Sequence, residues 1–215
     1  YLELIQSLGK KNKSYRSYIG LGYYNTVLPS VIKRNILENP NWYTAYTPYQ
    51  PEIAQGRLEA LFNYQTVITE LTGMQIANAS LLDEGTAAAE AMILSYNNRS
   101  NKKENEQTTF LVSKDCFPQT IEVLKVRANP IGIKLKIVDE FKLTDDVFGI
   151  ICQYPSKYGS INNIEDIIKE ANEKNIITTI AADLLSLTLL KPPGEFNADI
   201  VVGSSQRFGI PMGYG

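Results

Sequence analysis

Between residues 51 and 71, Leu58, Leu61, Phe62, Ile68 and Leu71 recur at helical spacing, and Gly73 follows where a helix end favours a positive φ. The pattern predicts a long amphipathic helix. A second helix is predicted over 85–96, where alanines dominate and small side chains allow close packing on a neighbour. Residues 99–107 are polar and charged, as an exposed loop would be. Beyond them the pattern alternates: strand 108–113, helix 118–128, strands 133–138 and 147–153, helix 164–174, then strands 176–181 and 200–202. This alternation predicts an α/β fold, a mainly parallel sheet with helices on both faces. The beginning of the chain is different. Nine of the 13 tyrosines fall in the first 65 residues, and up to Gln50 the reading is irregular apart from a short helix over 29–39, which Pro40 stops. A loop rich in Trp and Tyr is expected to follow. The chain thus divides into an irregular, aromatic-rich segment over 1–50 and an α/β domain over 51–215.

Composition narrows the chemistry. The 215 residues are 44% hydrophobic and 20% charged, and no stretch approaches the roughly 20 apolar residues of a membrane span. A net charge of -2 gives no broad electrostatic footprint for nucleic acid or anionic lipid, so neither is expected as a partner. Cys116 and Cys152 are too few for a disulfide framework and lack metal-ligand spacing; no metal site is expected. Histidine is absent, which removes the commonest general base and the Ser-His and Cys-His nucleophile pairs. The chain opens at Tyr1 and stops at Gly215 inside a Gly-Tyr-Gly run, which reads as a piece of a longer protein whose α/β domain continues.

Four places could carry chemistry. The turn Asp83-Glu84-Gly85-Thr86 opens the Ala-rich helix, where α/β folds cradle phosphate on free N–H groups. Its composition favours helix capping instead, because two carboxylates stand where a phosphate would sit. Asp183 ends an apolar strand at the edge where open sheets hold ligands, or it caps a turn. Arg207, in the small-residue loop 203–209, either holds an anion or is solvated. The stretch 41–52 concentrates aromatics and prolines, suiting a buried interface or a loop packed on its own core.

These loops together resemble the N-terminal half of the glycine decarboxylase P-protein family. The resemblance rests on Gly20-Leu21-Gly22-Tyr23-Tyr24-Asn25, Tyr46-Thr47-Pro48-Tyr49-Gln50-Pro51-Glu52, Gln55-Gly56-Arg57-Leu58-Glu59, Asn63-Tyr64-Gln65-Thr66, the run 78–91, Pro192-Pro193-Gly194-Glu195-Phe196 and Gly203-Ser204-Ser205-Gln206-Arg207-Phe208-Gly209. It implies an aminotransferase-like, fold type I pyridoxal phosphate enzyme of the glycine cleavage system. Such an enzyme decarboxylates glycine oxidatively and passes the aminomethyl group to the lipoyl arm of the H-protein. The family carries two related halves, fused or separate. The resemblance implies that the cofactor-bearing lysine belongs to the C-terminal half and that this half is a degenerate copy. Gln206 stands in the lysine's place, and an amide cannot condense with the cofactor's aldehyde. Asp83 and Glu84 would repel a phosphate, while Asp183 matches the carboxylate that pairs with the pyridinium nitrogen in the active copy.

The resemblance therefore implies no cofactor and no catalytic residue of its own here, with Asp83, Glu84, Gly85, Thr86, Asp183, Gln206 and Arg207 marking a vestigial site. The partners it implies are the other half, the lipoyl H-protein and glycine, in an oligomer. The expected compartment is bacterial cytoplasm, or the mitochondrial matrix in a eukaryote. Tyr46, Thr47, Pro48, Tyr49 and Gln50 are the residues by which this half is expected to complete the other's active site, excluding water and donating hydroxyls. The competing reading is a purely structural scaffold.

Overall fold

The computed structural model describes residues 1–13, 15–43, 50, 52–78, 80–99 and 107–212. Seven α-helices are found among them: α1 (Leu2–Gly9), α2 (Ser30–Ile32), α3 (Pro40–Tyr43), α4 (Gln55–Thr72), α5 (Glu84–Asn98), α6 (Pro118–Ala128) and α7 (Glu165–Glu173). Five strands, β1 (Thr109–Ser113), β2 (Lys134–Val138), β3 (Val147–Tyr154), β4 (Ile177–Ala182) and β5 (Ile200–Val202), form one sheet in the order β2-β1-β3-β4-β5. Every pairing is parallel.

A parallel sheet needs both faces covered, so its inner strands read as continuous apolar runs. β3 is buried along its whole length. One face packs on α5 and α6 through Ala88, Ala89, Met92, Ile121 and Leu124, against Phe110, Val112, Phe148 and Ile151. The other packs on α7 through Ile168 and Ala171, with Ile68 and Leu71 from the end of α4 resting against the same side. The register of β1 on β3 slips between Thr109 and Phe110, and Gly149 lies opposite Phe110. A Cβ there would sit 2.8 Å from the Phe110 ring, so the glycine makes room for that fully buried side chain. At the β2 edge Lys134 and Lys136 are exposed, charges that discourage pairing with another chain.

The elements begin and end for local reasons. Gly73 closes α4 in the left-handed conformation, φ 70°. Pro118 occupies the first turn of α6, where its missing N–H costs nothing. Residues expected to be irregular include α1, which buries no side chain. The helix read over 29–39 is α2 running into a π-helical turn, Lys33–Leu37. Past Pro40 the chain is not yet loop: Asn39 accepts from the Asn41 N–H at 3.0 Å, and α3 starts there. The long amphipathic helix begins at Gln55, four residues later than its pattern suggests, because Ala54 sits at φ −130° and ψ 30°. Its apolar stripe meets the core only near its end, leaving Phe62 67% exposed.

Candidate functional site at the carboxyl edge of the sheet

In a parallel sheet the loops leaving the strand ends converge on one edge. Here they are the β1–α6 loop with Cys116 and Phe117, the end of β3 with Gln153, Asp183 after β4, and the β5 loop with Gln206 and Arg207. The N-terminus of α5 reaches the same place.

Asp83 caps α5: its carboxylate accepts the Thr86 N–H at 2.7 Å. That donor is thus used by the chain's own side chain. Gly85 packs α5 on α6, since a Cβ there would lie 3.3 Å from Val123. Glu84 is drawn inward beside Thr120, whose hydroxyl donates to it at 3.4 Å, and beside Gln153, whose amide N–H donates to the Ala181 carbonyl at 3.0 Å. Burial pushes the Glu84 carboxyl up to about 7; hydrogen bonds from Gln153 and Thr120 oppose the shift, and the charges of Asp183 and Asp83 add to it.

Asp183 both caps a turn, accepting the Leu185 N–H at 3.2 Å, and pairs with Arg207, whose Nε lies 2.9 Å away. Arg207, 11% exposed, turns to its own chain. Its Nη1 donates to the Asn25 carbonyl at 3.1 Å, and its guanidinium lies 5.1 Å from the Tyr24 ring centroid. Gln206 donates its side-chain amide to the Ile210 carbonyl at 2.6 Å, while its backbone N–H is accepted by Ser204 at 3.2 Å. Gln50 is exposed, its carbonyl accepting from Ile53 at 3.3 Å; Tyr46, Thr47, Pro48 and Tyr49 lie outside the described residues.

Pyridoxal phosphate does not fit this set of residues. Gln206, at the position the resemblance gives to the lysine, is an amide turned to a backbone carbonyl; Asp183, which it matches to the ring-nitrogen carboxylate, is engaged by Arg207; and the turn over 83–86 is acidic and already capped. Among the described residues no cluster of three or more His, Cys, Asp or Glu could hold a metal ion, and no helix is long and apolar enough to cross a membrane.

Sequence reasoning passed over Tyr24 and Asn25 as site residues, although they stand in one of the blocks that carry the resemblance. It also missed Thr120 and Gln153, whose place beside Glu84 depends on packing between elements far apart in the chain.

The sequence profile of the glycine cleavage system P-protein matches residues 1–215. Among curated proteins, the glycine dehydrogenase (decarboxylating) of Synechocystis sp. is 58% identical over 98% of this chain, which covers 21% of that protein. The potato (Solanum tuberosum) relative, named as mitochondrial, is 56% identical over the whole chain and likewise covered to 21%. The chain therefore spans about a fifth of these relatives. A crystal structure of glycine decarboxylase (P-protein) of the glycine cleavage system, in inhibitor-bound form, superposes with a TM-score of 0.88 at 34% identity, over 100% of this chain and 49% of that one. The SepCysS-SepCysE N-terminal domain complex matches with a TM-score of 0.56 at 16% identity, over 96% of this chain and 56% of that one. At that identity it speaks for the fold alone. A profile matched from end to end and relatives above half identity along the whole length place the chain in the glycine cleavage system P-protein family.

Proposed function

We propose that this chain is the cofactor-free part of a glycine dehydrogenase (decarboxylating), and that it completes an active site whose pyridoxal phosphate is held by the other half. In the assembled enzyme glycine is decarboxylated and its aminomethyl group passes to the lipoyl arm of the H-protein; the chain alone is inactive. The observation that carries this reading is the pairing of Asp183 with Arg207 at 2.9 Å, beside a glutamine at the lysine position. The pairing gives Asp183 a partner on its own chain, which supports a site with no cofactor ring to serve.

The contribution to the other half is assigned to Tyr46, Thr47, Pro48, Tyr49 and Gln50. Their apolar rings exclude water from a small substrate, and their tyrosine hydroxyls can donate to a carboxylate in a dry pocket. Pro48 and Pro51 restrict the backbone, so less entropy is lost when the halves assemble. In the complete enzyme, Tyr46→Phe and Tyr49→Phe remove only hydroxyls. Glycine turnover should fall while assembly and cofactor content hold. Unchanged kinetics in both variants would leave this half as a scaffold.

A further inference from the structure

The pair at the vestigial site is built differently from the other ion pairs. Arg207 and Asp183 side chains are 11% and 18% exposed, whereas the other pairs found among the described residues have side chains 42–70% exposed. Surface pairs of that kind contribute little to stability, while a sheltered pair with further hydrogen bonds holds its partners in place.

What Arg207 holds is the segment 20–27. Nε takes Asp183, Nη1 takes the Asn25 carbonyl, and the guanidinium lies by the Tyr24 ring. Three bearings on one planar group suit arginine and not lysine. The segment is tied down on both sides of this fork. Gln119 donates to the Leu21 carbonyl at 2.8 Å, Tyr24 meets Phe117 edge-on at 6.5 Å, and Thr26 donates to the Ile210 carbonyl at 3.0 Å. A Cβ on Gly209 would lie 2.8 Å from the Val27 carbonyl oxygen, so the two backbones approach closely. Gly20, Leu21 and Gly22 all have positive φ, 66°, 54° and 91°, and for Leu21 that conformation costs energy that surrounding contacts must offset.

We propose that Asp183 and Arg207 form a positioning latch that fixes segment 20–27 across the carboxyl edge of the sheet, and that turnover in the complete enzyme depends on it. The latch itself stands on the geometry; its effect on turnover rests on the proposed function.

The test uses the complete enzyme with Arg207→Gln, Arg207→Lys and Asp183→Asn, reading amide hydrogen exchange over 20–27 together with kcat and KM for glycine. Arg207→Gln should speed exchange there by roughly tenfold or more and lower kcat more than it raises KM. Arg207→Lys and Asp183→Asn should each give an intermediate effect, because each retains part of the contact. Asp183→Asn keeps the shape of the side chain and guards against a variant that simply fails to fold. Exchange at the wild-type rate in Arg207→Gln overturns the latch. A loosened segment with unchanged kinetics overturns its positioning role. Failure of the proposed function reads out elsewhere, as cofactor attached to a lysine of this chain.

Discussion

Glu84 ties the carboxyl edge of the sheet to pH. Its carboxyl is raised from 4.5 to about 7 in the folded chain, first by burial. The folded state therefore holds a proton that the unfolded state has released between pH 4.5 and 7. Stability falls as pH rises through that window, by up to about 3 kcal/mol, and levels off above it. Glu84→Gln removes the titration, so its melting temperature relative to the parent should climb between pH 5 and pH 8. Parallel melting curves would contradict this. Asp146 has the opposite sign: hydrogen bonds from Thr109 and Thr144, at 2.6 Å each, lower it to about 2, so its contribution is lost only as pH falls below the usual carboxylate range. The thiols are also affected. Burial pushes Cys152 up to about 12 and raises Cys116 as well, so neither should react with a disulfide reagent at pH 8 until the chain unfolds. Fast labelling of the native protein would refute that. At this scale the sequence exposes residue types but not partners. Asp83 beside a helix start announces a cap, whereas Asp183 and Arg207 meet only because β4 and β5 are neighbours in the sheet.

Two glycines show how the elements are fitted together. Gly194 lies against the end of α4: a Cβ there would fall 2.2 Å from the Gly73 carbonyl oxygen, and backbone cannot give way as a side chain can. Gly194→Ala should cost about 1–3 kcal/mol, as other overpacked contacts do. Gly56, in the first turn of α4, has nothing within 4 Å of such a Cβ. Gly56→Ala should stabilise by about 0.5 kcal/mol, mainly by restricting the unfolded chain. Denaturant titration of both variants in one background checks the pair, and equal effects would contradict the packing. Elements whose ends carry local signals were legible in the sequence. Pro118 in the first turn marks α6, and the apolar run after Asp199 marks β5. What escaped was α1, whose helix is not announced by any cap: Tyr1 makes no side-chain capping bond and no α1 residue is buried. The π-helical turn after α2 escaped too, because no spacing of apolar residues distinguishes it from α-helix.

For the whole molecule, the apolar surface is uneven. Helices α1, α2 and α3 bury no residue, while Leu2, Val31 and Phe62 stand 75%, 63% and 67% exposed. Surface of this extent attracts partners. The isolated chain should bind an environment-sensitive dye and self-associate, and both should diminish when it is produced together with the rest of the enzyme; a dye-silent monomer by light scattering would count against this. The central claim is that the cofactor belongs elsewhere, and it is tested most directly by reducing the complete enzyme with borohydride, digesting it and locating the pyridoxyl group. The predicted result is a label on a lysine outside these 215 residues, with none of this chain's lysines modified. A pyridoxyl group on any lysine of this chain would contradict it.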